Sequence, residues 1–465
     1  MNTVAEVVTR AREAQSAYES YTQEQVDAVV TAVAWAGYSN AESLAELAVQ
    51  ETGLGNYEDK VRKNRRKTFG TLRDLKHARS VGVIDENRAR GITKIAKPVG
   101  VIAASTPITN PAATPIHNML VTLKGRNAIV LAPHPKADGT CGTLVRLVHQ
   151  ELHKVGVPTD IVQHFSLKSD DKAHSKERLR ELMEAVDLVL VTAGPASVRA
   201  AYQSGTPALG VGRGNVPVLI DASANVEDAA DKIASSATFD YATSCSSENS
   251  LFIEESVYVT VLNALQSRGG YLVSREEKTL LAEALWKEGG LNRELVAQSP
   301  RIVAETAGID ATDAKFFLVE EEGIGKAFPF SGEKIAPVVT VYRWRNFSDA
   351  VQTIQRILEY QGLGHSIGIH STNEEHIKVL AHRTKVCRVL VNQAHCIGNG
   401  GDFANGLDFT LSLASGTWGG NSTSDNITYK HFLNITRLSR PISATPPTEE
   451  ELFGDYWDNF GHDAP

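Results

Sequence analysis

The sequence predicts an α/β fold, a parallel sheet with crossover helices, and three observations carry that prediction. Short apolar runs recur at residues 99–104, 128–132, 187–192 and 216–220. Helical patterns separate them, at about 140–154 and 197–203. The runs are continuous rather than alternating, which is the pattern of parallel strands covered on both faces.

The chain ahead of the first run reads as helices. Thr22 and Gln25 form a capping box, and Val26, Val29, Val30 and Val33 follow at helical spacing. A second helix carries Leu44, Leu47 and Ala48 and stops near Gly53. The first strand begins after Pro98, and the helix from about residue 140 ends at Gly156. There is no internal repeat. At 465 residues the chain is long enough for two or three domains.

Composition narrows the function. A formal charge of −8 argues against a general nucleic-acid binder. No apolar run reaches membrane-spanning length, and Met1-Asn2-Thr3 opens no secretory leader, so a cytoplasmic protein is expected. The four cysteines, Cys141, Cys245, Cys387 and Cys396, show no metal-ligand spacing and fit a reduced compartment with no metal centre. One basic cluster, Lys60, Arg62, Lys63, Arg65, Arg66 and Lys67, reads as a solvated helix face in preference to a phosphate contact.

Cys245 is the leading candidate for chemistry. Ser and Thr surround it and the strand-like residues 251–253 follow, a setting for a tight turn that presents a thiol rather than hiding it. A cysteine there can attack a carbonyl and hold an acyl group as a thioester; a small core residue in a turn is the bland alternative. Asn110, after the first strand, lies where open α/β sheets bind ligands. It reads equally as an oxyanion donor and as a loop cap. Gly194, in Thr192-Ala193-Gly194-Pro195, marks a strand-to-helix junction suited to a diphosphate or to an ordinary turn. Gly212, in the glycine-rich residues 210–215, admits a close ligand or a tight turn.

The motifs together resemble the aldehyde dehydrogenase superfamily, and within it the CoA-acylating branch. The matching stretches include residues 97–102, Thr109-Asn110-Pro111, 124–128, Pro133-His134-Pro135, 207–212, Cys245-Ser246-Ser247-Glu248-Asn249-Ser250, 333–338, Gly362-Leu363-Gly364-His365 and 416–422. The resemblance implies a Rossmann-type cofactor domain, a catalytic α/β domain and an oligomerising β-arm. The expected division is residues 1–238 for the NAD(P) domain, with an arm strand near 88–97, then 239–425 for the catalytic domain and 426–465 for the return and second arm strand. It implies Cys245 as nucleophile, Asn110 as its oxyanion partner and Glu333 on the nicotinamide ribose.

Two departures from the family pattern set the expected reaction. The glutamate that activates water in hydrolytic members has no counterpart in residues 209–214, so coenzyme A is expected to take the acyl group. The adenosine-side motif is Ala132-Pro133-His134-Pro135 followed by Lys136, with no acid, which makes NADP as admissible as NAD. His365, His395 and Arg213 are candidates for binding substrate or coenzyme A; for His365 a satisfied loop histidine is an equal reading. The resemblance favours small acidic aldehydes, sulfoacetaldehyde first, with succinate semialdehyde or acetaldehyde as alternatives; Asn249 and residues 241–244 tilt the choice to the sulfonate. The rival readings are a hydrolytic aldehyde dehydrogenase and a non-catalytic nucleotide-binding protein. A homodimer or homotetramer is expected. With the chain ending near Pro465, no appended alcohol dehydrogenase domain is expected.

Overall fold

The computed structural model describes residues 3–462. Met1 and Asn2, at the start of the segment expected to lack a leader, and residues 463–465, at the end of the expected return segment, lie outside the described residues. Four helices open the chain: α1 (Val4–Tyr18), α2 (Gln23–Ser39), α3 (Ala41–Thr52) and α4 (Tyr57–Leu75). The Thr22–Gln25 capping box is present, with both reciprocal hydrogen bonds. Gly53 ends α3 at φ 68°, a left-handed value that suits glycine.

Strands β1 (Gly82–Asn87) and β2 (Ile92–Pro98) lead into the first α/β unit. That unit runs β3 (Val101–Thr106), α5 (Ala113–Lys124), β4 (Ala128–Pro133), α6 (Asp138–Lys154), β5 (Val162–His164), α7 (Lys172–Ala185), β6 (Leu188–Val191), α8 (Pro195–Gln203) and β7 (Ala208–Gly210). The sheet order is β5-β4-β3-β6-β7, all parallel. Ile102 pairs in register with Ile129 on one side and Leu188 on the other. Every residue of β3 and β4 is buried, which explains their unbroken apolar sequences. A fully buried Ile102 or Ile129 contributes about 2 kcal/mol through surface removed from water. The chain moves outward from β3 to β4 and β5, then returns to β6 on the other side. The crevice at the carboxyl ends of β3 and β6 is therefore the topological switch point, where such sheets bind ligands.

The second unit follows: β8 (Val216–Ile220), α9 (Val226–Thr238), β9 (Glu248–Glu254), α10 (Tyr258–Gln266), β10 (Gly270–Leu272), α11 (Arg275–Leu285), the short ribbon β11 (Trp286–Lys287) and β12 (Gly290–Leu291), and α12 (Pro300–Ala307). Then come β13 (Phe316–Glu320), β14 (Val338–Trp344), α13 (Phe347–Tyr360), β15 (Ile367–His370), α14 (Glu374–Arg383), β16 (Val389–Val391) and α15 (His395–Gly398). Seven parallel strands stand in the order β10-β13-β14-β9-β8-β15-β16. β17 (Leu433–Ser439) and α16 (Glu449–Phe460) close the chain. β17 pairs antiparallel with β2, and β1 with the other edge of β2, so the expected two-strand arm is a three-stranded sheet.

Two expectations need correction. The run at 216–220 belongs to the second sheet, pairing with β9 and β15, so the sheets divide between β7 and β8 rather than at residue 238. Both sheets are parallel and covered, so their strands carry the same apolar signature. The basic cluster on α4 is a solvated face only in part: Arg62 is exposed and Arg65 and Arg66 are half-buried. Lys60, Lys63 and Lys67 are buried, at one-helical-face spacing, with Asn64 and Thr71 beside them. Among the described residues no helix is long and apolar enough to cross a membrane.

Candidate active site

The loops entering the four central strands of the seven-stranded sheet meet at its amino edge. Asn215 precedes β8, Cys245 precedes β9, Glu333 precedes β14 and His365 precedes β15. Cys245, Glu333, Asn215, Glu248 and Asn249 line one small cleft.

Cys245 occupies a turn in which Ser247 N–H donates to Ser244 O at 3.1 Å. Asp240, Tyr241 and Ala242 ahead of it all have positive φ, 50°, 51° and 58°. A left-handed conformation costs roughly 1–2 kcal/mol for each such residue, so the surroundings must hold it. Asp240 does so. Its Oδ1 accepts from Asn56 N–H at 2.9 Å, its own N–H donates to Asp59 Oδ2 at 2.8 Å, and its Oδ2 accepts from Lys60, Lys63 and Thr243. Burial alone would raise the Asp240 carboxyl, but Lys63 and Lys60 outweigh it and keep the group below the usual carboxylate range. Burial brings Lys60 down to about 8.

The Cys245 thiol is pushed up to about 12, first by burial and then by the charge of Glu333. A base or donor is therefore needed beside it. His365 Nε2 lies 3.3 Å from Cys245 Sγ, and His365 Nδ1 lies 2.7 Å from Ser366 Oγ. Ser366 Oγ accepts from Asn399 Nδ2 at 3.0 Å, leaving its own proton for His365 Nδ1. That assignment puts the imidazole proton on Nε2, facing the sulfur, where it supports a thiolate. Burial holds His365 well below the ordinary imidazole range and His395 down to about 4, so both rings are neutral near pH 7. His395 Nδ1 instead contacts Ser246 O at 2.9 Å, bracing the residue after Cys245. Arg213, the third candidate for binding substrate or coenzyme A, pairs through its Nε with Glu333 Oε2 at 3.1 Å.

Burial raises Glu333 to about 7 against the opposing pull of Arg213. Lys334 anchors its loop, donating to Asn249 O, Phe330 O and Thr340 Oγ1 at 2.8–3.0 Å. The glycine-rich loop passes over the cleft. A Cβ on Gly214 would lie 2.1 Å from Cys245 O, and one on Gly212 would lie 1.6 Å from Ser415 Oγ. The close approach at Gly212 is thus filled by protein on that side.

The first sheet supplies the facing wall. Asn110 follows β3 and caps the approach to α5, with Thr114 N–H donating to Asn110 O at 3.4 Å. Its Oδ1 accepts from Lys63 Nζ at 2.8 Å. Gly194 ends the loop after β6, at the N-terminus of α8, and a Cβ there would meet nothing within 4 Å. Pro133 ends β4; His134 and Lys136 beyond it are exposed, with His134 Nδ1 accepting from Lys136 N–H at 3.2 Å. Asn110, Gly194 and the Pro133–Lys136 turn therefore share the carboxyl edge of the parallel sheet, around the switch point.

The aldehyde dehydrogenase family model matches residues 1–274. Acylating sulfoacetaldehyde dehydrogenase of Cupriavidus necator is 48% identical over 98% of this chain and 93% of that protein. Acetylating succinate-semialdehyde dehydrogenase of Clostridium kluyveri is 38% identical over 97% of this chain and 99% of that protein. The crystal structure of an acetylating aldehyde dehydrogenase from Geobacillus thermoglucosidasius superposes with a TM-score of 0.91 at 36% identity, covering 96% of this chain and 98% of that one.

The chain belongs to the aldehyde dehydrogenase family.

In this aldehyde dehydrogenase, several site features escape sequence reasoning. Lys63 and Asp240 are one knot between α4 and the Cys245 turn. No local signal marks Lys63, because lysines at 60, 63 and 67 share one helical face whether that face is solvated or buried. Glu248 is a buried carboxylate in the Cys245 cleft, raised to about 7 by burial, with Oε1 accepting from His395 N–H at 2.9 Å. Cys396, which lacks the Ser-Ser-Glu-Asn context that follows Cys245, is buried, and burial raises its thiol.

Proposed function

We propose that this aldehyde dehydrogenase oxidises a small acidic aldehyde, sulfoacetaldehyde first, to its acyl-CoA with NAD(P)+ as the oxidant. The observation that carries the acylating reading is the loop over Cys245: residues 210–214 cross the cleft without a carboxylate, and Gly214 leaves no room for one. Glu333 is engaged by Arg213. Glu248 Oε1 is engaged by the His395 backbone, and its Oε2 is sealed from solvent. Water near the thioester therefore lacks a free, positioned base.

The steps follow from the groups present. Cys245 gives its proton to solvent, His365 Nε2–H supports the thiolate, and Sγ bonds to the aldehyde carbon. Asn110 Nδ2 and the Cys245 backbone N–H receive the developing oxyanion. A bound NAD(P)+ would supply the acceptor for the hydride lost from the same carbon, and Glu333 is the residue that would hold its nicotinamide ribose. Coenzyme A, its thiol proton released to solvent, then bonds through its thiolate sulfur to the thioester carbon, and Cys245 leaves as thiolate. His134 and Lys136 carry no acid against a 2′-phosphate, so either dinucleotide fits. Four free thiols suit a reducing cytoplasm.

Substrate preference is read from a panel with coenzyme A present. Sulfoacetaldehyde and succinate semialdehyde are expected to exceed acetaldehyde and propanal in kcat/KM by about tenfold or more, the worth of one charge-assisted contact. Acetaldehyde matching both acidic aldehydes at low and moderate salt would overturn the acidic-substrate reading and leave the acylating one standing.

We also propose a dimer or tetramer built through the β1-β2-β17 sheet. A three-stranded sheet with exposed outer strands gains by docking on a partner. Sedimentation velocity at micromolar concentration is expected to show no monomer; a monomer peak alone would refute this.

A further inference from the structure

Lys63 takes no part in the steps above, yet it is the group that holds Asn110. Its ammonium has three N–H donors, and three acceptors surround it: Asn110 Oδ1 at 2.8 Å, Thr243 Oγ1 at 2.9 Å and Asp240 Oδ2 at 2.5 Å. With every donor engaged, the ammonium is fixed by the protein. Two of its three acceptors, Asp240 and Thr243, belong to the segment that delivers Cys245. The third is the amide on the opposite wall.

A carboxamide has one accepting end and one donating end, and only the donating end can serve an oxyanion. Were the Asn110 amide reversed, its NH2 would face an ammonium and both would lack a partner. Its one other side-chain bond runs from Nδ2 to the adjacent Thr109 Oγ1, at 3.3 Å. Lys63 is thus the contact that decides which end of the amide faces the cleft, and its charge polarises the N–H groups at the other end.

We propose that Lys63 is a positioning residue: it bridges the Cys245 turn to Asn110, keeping the donor end of the amide toward the sulfur and the two groups at a fixed separation. This rests on the reading of Asn110 as the oxyanion donor. A purely structural Lys63 would serve only to neutralise Asp240.

The two roles separate in a double-mutant cycle of Lys63→Met, Asn110→Ala and the pair, read as single-turnover formation of NAD(P)H with the best aldehyde of the panel. Asn110→Ala is expected to slow this step about 100-fold, the usual loss for one oxyanion donor. Lys63→Met is expected to slow it roughly 10- to 30-fold, with the aldehyde KM changed less than about threefold, because only the transition state uses the amide. The double variant is expected to be no slower than Asn110→Ala alone. Losses that multiply, or a wild-type rate in Lys63→Met beside a slow Asn110→Ala, would overturn the proposal and leave Asn110 in its role. A wild-type rate in Asn110→Ala would overturn the oxyanion reading itself, and Lys63 with it. Should Lys63→Met not fold, Thr243→Val removes a single acceptor. Its expected loss is about threefold and vanishes in the Asn110→Ala background; a loss that persists there refutes the proposal.

Discussion

Cys245→Ala and Cys245→Ser are expected to lower turnover by about 10⁴-fold or more, the scale on which removing a nucleophile acts. Folding should hold, with a thermal midpoint within about 2 °C of the parent, because the thiol's polar contacts, His365 at 3.3 Å and the Ser246 side chain, are weak sulfur hydrogen bonds. The parent's acylation step should also climb with pH. A thiol pushed up to about 12 is almost wholly protonated at pH 7, so the thiolate fraction, and with it the rate, grows about tenfold per pH unit until another step limits. Near-normal turnover in either variant would move the nucleophile elsewhere, and Cys396 would be next. A flat profile between pH 6 and 9 would instead mean that the thiol loses its proton within the attack itself, which requires the other His365 tautomer, with Nε2 unprotonated.

The second large effect is the requirement for coenzyme A. Mixing enzyme, aldehyde and NAD(P)+ without it should give a burst of about one NAD(P)H per active site and then a rate lower by about 10²-fold or more, the range a general base supplies when present. Addition of coenzyme A should restore turnover with acyl-CoA as product. Free acid formed at full rate without coenzyme A would mean a base acting on water, and Glu248 would be the carboxylate to replace first.

Much of this was legible before any coordinates. Residues 99–104 and 128–132 are strands because a parallel strand covered on both faces has no polar positions, and that leaves a plain mark. Cys245 was legible because polar neighbours around a cysteine contradict burial in a core. The family motifs singled out Asn110, Cys245 and Glu333; Cys245 and Glu333 line one cleft, and Asn110 is tied to the Cys245 turn through Lys63. What stayed hidden depends on contacts between segments far apart in the chain. Lys63 and Asp240 are separated by 177 positions, and neither carries a local sign that it will be buried against the other. The left-handed run at Asp240–Ala242 is equally silent, since none of its residues is a glycine. The neutral state of His395 and His365 follows from burial alone, which the sequence of a loop does not reveal. The strand at 216–220 was legible as a strand but not as a member of the second sheet, because both sheets impose the same apolar pattern.

The packing of the loop over Cys245 also bears on how this enzyme could change. A return to hydrolysis needs one carboxylate aimed at the thioester, in principle a single substitution. Leu209 and Gly210 are committed to β7, and Gly212 and Gly214 are wedged against Ser415 and the Cys245 carbonyl. Replacing Arg213 by an acid would set two carboxylates together and remove the partner of Glu333. Val211 is the one position left, so evolution or an engineer seeking a hydrolase from this scaffold has a single narrow path, and any other route must first rebuild the loop.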